Sequence, residues 1–153
     1  MMVDLYQAFD SRLSHKSLFR WHEMIMAGHR NIETVGGYRK HKEPMQVISG
    51  RFDRPKIHFE APPSVRVKSE MATLIAWFNR TGPKGSAPLP ILTRAGIAHL
   101  YFESIHPFED GNGRIGRALS VKALAQSLGQ PSLVALANTI ERDRKAYYQW
   151  LER

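Results

Sequence analysis

Ser104-Ile-His-Pro-Phe-Glu-Asp-Gly-Asn-Gly-Arg-Ile-Gly-Arg117 is the stretch that decides how the rest of the chain is read. Gly111-Asn112-Gly113 frees the backbone for dihedrals that a Cβ would block, so successive N–H groups can converge on one ligand. The residues from Arg114 to Ala125 read as a helix. The glycines then stand at a helix N-terminus, where unpaired N–H groups and the positive end of the macrodipole favour a phosphate. Arg114 and Arg117 lie one turn apart and share a face. Ahead of the glycines, His106 can exchange a proton near neutral pH, and Asp110 offers a hard oxygen to a magnesium ion bridging phosphates. Pro107 stops the preceding helix, and Phe108 is expected to bury its ring and fix the loop. The set predicts a nucleotide polyphosphate site with a general base beside it. An isolated Gly-Asn-Gly would predict only a turn.

Working outward, Thr93 to Ile105 reads as an apolar-rich helix that delivers His106 at its end. His99, two turns earlier, has no companion set of metal ligands and reads as core. Ser64 to Asn79 is amphipathic, with Val67, Met71, Leu74, Ile75 and Phe78 inward. Residues 81–90 are dense in helix breakers and predict a loop. Phe9 to Ala27 reads as one further helix, with an apolar stripe of Leu18, Trp21, Met24 and Ile25. His22-Glu23 would open a zinc-protease pattern only with a second histidine where Met26 stands. Between Gly36-Gly37 and Gly50, β-compatible pieces at Gly37 to Arg39 and Gln46 to Ser49 flank a polar stretch containing Pro44. They predict a two-stranded hairpin, marginal unless something binds it. Arg51 to Pro63, with Pro55, His58, Phe59 and Pro62, shows little periodicity and reads as an ordered loop. Gly129-Gln-Pro131 makes a turn, and Asn138 or Thr139 is expected to cap a last helix from Ile140 onward.

A chain of 153 residues with 42% hydrophobic content suits a single globular domain. No apolar run approaches the roughly 18 residues that span a bilayer, and the N-terminus lacks a signal-like core, so no membrane role and a cytoplasmic setting are expected. The absence of cysteine excludes disulfides, thiolate catalysis and cysteine-bound zinc. A net charge of +8, from 22 basic against 14 acidic residues, raises nucleic acid as a partner. The basic residues are scattered, densest at Tyr38 to Lys42, Arg51 to Lys56 and Arg142 to Lys145, and are not interleaved with aromatics as a single-strand binder requires. Nucleic acid is therefore disfavoured, and an acidic, phosphate-rich ligand accounts for part of the charge.

The stretch from His106 to Arg117 resembles the signature of the Fic domain family, His-Pro-Phe-x-[Asp/Glu]-Gly-Asn-Gly-Arg-x-x-Arg, at every specified position. The resemblance runs over nearly the whole chain and implies an all-α bundle with one β-hairpin flap, residues 1–153 forming a single catalytic core that can be a fragment of a longer protein. It implies transfer of AMP from ATP to a Ser, Thr or Tyr hydroxyl of a target protein, with Mg²⁺ as cofactor. His106 would be the base and Asp110 the metal ligand. Gly111, Asn112 and Gly113 would cradle the phosphates, with the Asn112 side chain as an extra donor, and Arg114 and Arg117 would grip the outer ones. Tyr148, in an Arg-x-x-Tyr-Tyr-x-x-Leu context, would lie against adenine. The target would dock along the flap around Gly37 to Ser49 by strand addition. Transfer of another nucleotide-derived group, a kinase-like phosphotransferase and a silent nucleotide-binding module are the alternatives, and Arg114 disfavours the phosphorylating branch, which carries Lys there. None of the nine glutamates has Ser or Thr four residues before it, as the family's inhibitory helix requires. Such a helix is therefore expected from elsewhere, such as an antitoxin partner carrying the glutamate.

Overall fold

The structure, a computed structural model, describes residues 1–29, 32–51, 54–131 and 141–151. Its helices are α1 (Met2–Gln7), α2 (His15–Met26), α3 (Ser64–Arg80), α4 (Ile91–Ile105), α5 (Asn112–Leu128) and α6 (Arg144–Leu151), with strands β1 (Gln46–Arg51) and β2 (Arg54–Glu60) between α2 and α3. The fold is all-α with one hairpin, and α5 is its axis. Buried residues occur on nearly every face of α5, from Ile115 and Leu119 to Ala123 and Ala125. Each large apolar side chain so buried contributes about 1.5–3 kcal/mol. Because α5 is enclosed, its polar residues need partners. Ser120 donates to the Ala95 carbonyl of α4 at 3.0 Å, and the Lys122 ammonium donates to the carbonyls of Ala8 and Phe9, each at 2.8 Å. α4 lies along α5, and α3 packs on α4 through Val67, Met71, Leu74 and Phe78, the stripe that the periodicity predicts.

Of the helix expected over Phe9 to Ala27 only α2, His15–Met26, forms, and residues 8–14 make a turn that separates it from α1. Ser14 opens α2 with a capping box shared with Ser17. Asn79 of α3 holds the backbone of Leu13 on both sides, accepting from its N–H at 2.8 Å and donating to its carbonyl at 2.9 Å. With Lys122 drawing in the carbonyls of Ala8 and Phe9, no helix can run through this segment. The buried face of α2 is accordingly Leu18, Trp21, His22 and Met26, while Met24 turns outward.

The hairpin exists, but Gln46 to Ser49 does not pair with Gly37 to Arg39. β1 runs antiparallel to β2, with Gln46 opposite Glu60, Val47 opposite Phe59 and Ile48 opposite Ile57, so β2 bulges by one residue at His58. The segment expected to be an ordered loop is therefore largely a strand. Pro55 hides it from propensity, yet in a two-stranded sheet every strand is an edge and tolerates a missing N–H. The Ala61 N–H donates to the Met45 carbonyl at 2.9 Å and closes the hairpin's base. Gly37 to Arg39 instead runs to the loop after α4, where the Arg39 N–H donates to the Pro107 carbonyl at 2.9 Å. The expected start of the last helix at Ile140, with its cap at Asn138 or Thr139, lies outside the described residues. Among the described residues no helix is long and apolar enough to cross a membrane.

Candidate active site

α4 ends where the chemistry begins. His106 caps it at φ 49° and ψ 59°, the one non-glycine residue among those described with a positive φ. A conformation of this kind costs about 1–3 kcal/mol and persists only where the surroundings enforce it. Arg39 provides that enforcement. It is 2% exposed, its Nε donates to the His106 carbonyl at 2.8 Å, and its Nη2 donates to the carbonyls of Pro62 and Ile105. The sequence reading placed Arg39 in a basic stretch, because nothing in a run of Tyr-Arg-Lys-His-Lys tells which cation turns inward.

The loop after His106 is fixed from within. Phe108 is fully buried as expected, stacked on His22 with ring centres 4.2 Å apart, and edged by Phe19, Tyr38 and Phe102. His22 is held in turn by the Gly36 N–H, which donates to Nδ1 at 3.1 Å. The Asn112 side chain accepts from the Phe108 N–H at 3.0 Å and donates to the Phe108 carbonyl at 2.8 Å. The amide thus ties the loop together through its oxygen and one of its two N–H groups.

Gly111 adopts φ 81°, and a Cβ there would meet the Ile25 side chain at 2.7 Å. No side chain caps the first turn of α5, so its N–H groups stand open to an anion. Beside them Asp110 accepts from the Gly111 N–H through Oδ1 and sets Oδ2 3.7 Å from Arg114 Nη2. Its carboxylate is 58% exposed, and among the described residues no group of three or more His, Asp or Glu could form a metal cage. One exposed carboxylate suits Mg²⁺, which keeps water and phosphate oxygens as most of its ligands. Arg114 reaches toward the end of α2, donating to the Ile25 carbonyl at 3.4 Å. Arg117 turns the other way, its Nη1 3.3 Å from where a Gly113 Cβ would stand, and with His99 it lines a cavity of about 250 Å³ between α4 and α5.

Burial pushes the His106 imidazole below its ordinary pKa, Arg39 adds to the depression, and a hydrogen bond to the Glu103 main chain and the charge of Asp110 oppose it. The ring is therefore neutral at pH 7 and free to accept a proton. Glu103, one turn earlier, is pushed up to about 7 by burial, with Arg117 opposing. A recess of about 30 Å³ lined by Met45, Gln46, Phe59, Ala61 and His106 joins the hairpin's base to the histidine. The structure thus gathers His106, Asp110, Gly111, Asn112, Gly113, Arg114 and Arg117 on one loop and helix. Tyr148 belongs to α6, and its side chain lies outside the described residues. Sequence reasoning missed Arg39, which carries no signal of its own, and Glu103 and His22, whose only signal is a polar residue on an otherwise apolar face.

A model described as the Fic/DOC family matches residues 12–124. A probable protein adenylyltransferase of Aquifex aeolicus is 32% identical over 111 residues, covering 72% of this chain and 28% of its own length. The protein adenylyltransferase Fic of Drosophila melanogaster is 30% identical over 115 residues, covering 73% of this chain and 21% of its own. The chain therefore spans less than a third of the curated relatives it matches. A crystal structure of a Fic family protein from Desulfovibrio desulfuricans G20 superposes with a TM-score of 0.73 at 28% identity, covering 97% of this chain and 42% of the other.

Proposed function

The chain belongs to the Fic/DOC family, and on that premise we propose that it is a protein adenylyltransferase, moving AMP from ATP to a hydroxyl side chain of a target protein. The observation that supports this most is the union of a neutral, half-buried histidine with an uncapped helix N-terminus through a loop fixed from within. A base and an anion cradle held at one separation are what attack on a phosphate requires.

In the proposed reaction His106 takes the proton of the target hydroxyl, whose oxygen attacks the α-phosphorus as the bond to pyrophosphate breaks. The N–H groups of Gly111, Asn112 and Gly113 would bind phosphate oxygens, and the guanidinium groups of Arg114 and Arg117 would bind the outer phosphates. Asp110 would hold Mg²⁺, which supplies charge neutralisation as the P–O bond breaks. Arg114, paired with Asp110 in this structure, would let the carboxylate go as metal and triphosphate enter. The target would lie along the hairpin from Gln46 to Glu60, beside the recess at His106.

Incubation with ATP labelled at the α- or the γ-phosphate, with Mg²⁺, tests the reading. Label on protein from the α position alone supports it. Label from the γ position indicates a phosphotransferase, and label from neither indicates a silent site or a different donor.

A further inference from the structure

Glu103 is a buried carboxyl for which the mechanism above has no use. Its side chain is 17% exposed and lies one turn before His106, with Oε2 3.9 Å from His106 Nδ1. Oε1 is buried with no hydrogen-bond partner among the described residues. A buried oxygen in that state is costly, and such costs are retained where a site needs them. The close fit around it is built into α5: a Cβ on Gly116 would stand 2.5 Å from Oε1. Around Glu103, His99 approaches from α4, Arg117 from α5 and His106 from the loop, while Arg39 and Asp110 act on His106 from its other sides.

We propose that Glu103 is a positioning residue for His106, holding the Nδ1 side of the imidazole toward the end of α4 so that Nε2 is left to take the target's proton. This rests on the transferase reading. In the step, the hydroxyl O–H bond breaks and an N–H bond forms at Nε2. The oxygen's electron pair goes to phosphorus, and pyrophosphate departs with the bonding pair. Glu103 neither gains nor loses a proton; its carboxylate lies beside the imidazolium that results and stabilises it. The ionised form is the useful one, and burial delays it to about pH 7, so transfer should still climb between pH 6.5 and 8 after His106 itself is neutral.

Glu103→Gln keeps the shape and removes the charge, and Gly116→Ala keeps the charge and displaces it. The readouts are the tautomer of the neutral His106 ring at pH 8, from its ring nitrogen shifts by NMR without nucleotide or metal, and the pH profile of AMP transfer to the protein itself. At pH 8, where Glu103 is ionised, the wild-type ring should carry its proton on Nδ1, and Glu103→Gln should shift the balance toward Nε2. Transfer at pH 8 should drop by about 10–100-fold, the scale of losing a histidine's orienting partner, with the rise between pH 6.5 and 8 abolished and KM for ATP within about twofold. Gly116→Ala should shift the tautomer balance in the same direction. An unmoved tautomer balance, or a uniformly lowered transfer profile of unchanged shape, overturns the proposal. A wild-type chain that transfers nothing counts against the transferase reading, and the tautomer readout still decides this one.

Discussion

The loop after α4 and the β1–β2 hairpin meet at His106 and are built in opposite ways. In the loop the backbone is fixed by side chains of other elements: Arg39 on Ile105 and His106, His22 on Phe108, and Asn112 of α5 on Phe108. The hairpin is held to itself, with a two-stranded ladder, a bulge at His58 and the Met45 to Ala61 bond at its base. Catalysis of phosphoryl chemistry depends on placement, where a shift of about 1 Å can cost 10²-fold. Strand addition needs main-chain edges that a partner can complete. One region is over-determined, and the other is left with open edges.

The largest effect should come from the loop's one reacting group. His106→Ala should remove transfer by about 10²–10⁴-fold while ATP·Mg²⁺ affinity, measured by calorimetry, stays within a small factor, because the base acts on the target hydroxyl. Equal loss of affinity and rate would show that the loop and not the base had been damaged. Next is Arg39→Met, which keeps bulk and removes the donors to the carbonyls of Pro62, Ile105 and His106. It should lower unfolding free energy by about 2–4 kcal/mol, since charged hydrogen bonds to buried carbonyls are lost together. Transfer per folded molecule should fall by about 10²-fold through release of the strained His106. Urea unfolding with transfer rates corrected for folded fraction separates the two, and a folded variant with normal transfer would remove Arg39 from the site.

Glu103 tests the same region for a functional cost. Its folded-state pKa lies above the ordinary 4.5, at about 7. Its contribution to stability is therefore fully present below 4.5 and lost as pH rises through about 7. Glu103→Gln removes that loss, so the stability of the variant relative to wild type should be greater at pH 8 than at pH 4.5. The difference is at most about 3 kcal/mol at 1.36 per unit. The depressed histidines are common to both proteins and cancel. Urea midpoints at the two pH values measure it, and a constant difference would show that the carboxyl carries no such cost.

What was legible in the sequence follows the same division. The His106 to Arg117 stretch announces itself because its chemistry requires those residue types in that order, the α3 stripe is a local periodicity that burial honours, and α4 shows as an apolar-rich run ending at His106. Arg39 is illegible because its role lies in carbonyls far along the chain. The break between α1 and α2 is illegible for the same reason, set by Asn79 and Lys122 from other helices. β2 is hidden by its own Pro55, and the strand at Gln46 to Ser49 is expected to pair with Gly37 to Arg39, a segment whose partner is Pro107. The tie from the Asn112 amide to the Phe108 backbone is illegible too, because a motif position states that a residue is needed and leaves open whether the ligand, the loop or both need it.

The smallest expected effect belongs to the hairpin, and it bears most directly on the division. Proline at Gln46 or Val47 removes one backbone N–H each, opposite Glu60 and Phe59 respectively. Neither change reaches Arg39, Asn112 or Phe108, so ATP·Mg²⁺ binding and the melting of the helical bundle should be unchanged. If the target adds to the edge that loses its donor, transfer to protein should fall by about tenfold, the value of one net main-chain hydrogen bond near 1–1.5 kcal/mol. Only one face of β1 can be free, because the other pairs with β2. The two positions alternate along the strand, so one proline should disturb the ladder and the other the open edge. Transfer kinetics and hydrogen exchange at Glu60 and Phe59, measured on both variants, distinguish the two. A variant that loses transfer with the ladder intact identifies the edge that the target reads. Equal transfer by both variants and wild type would remove the hairpin from recognition and leave the recess at His106 as the target's contact.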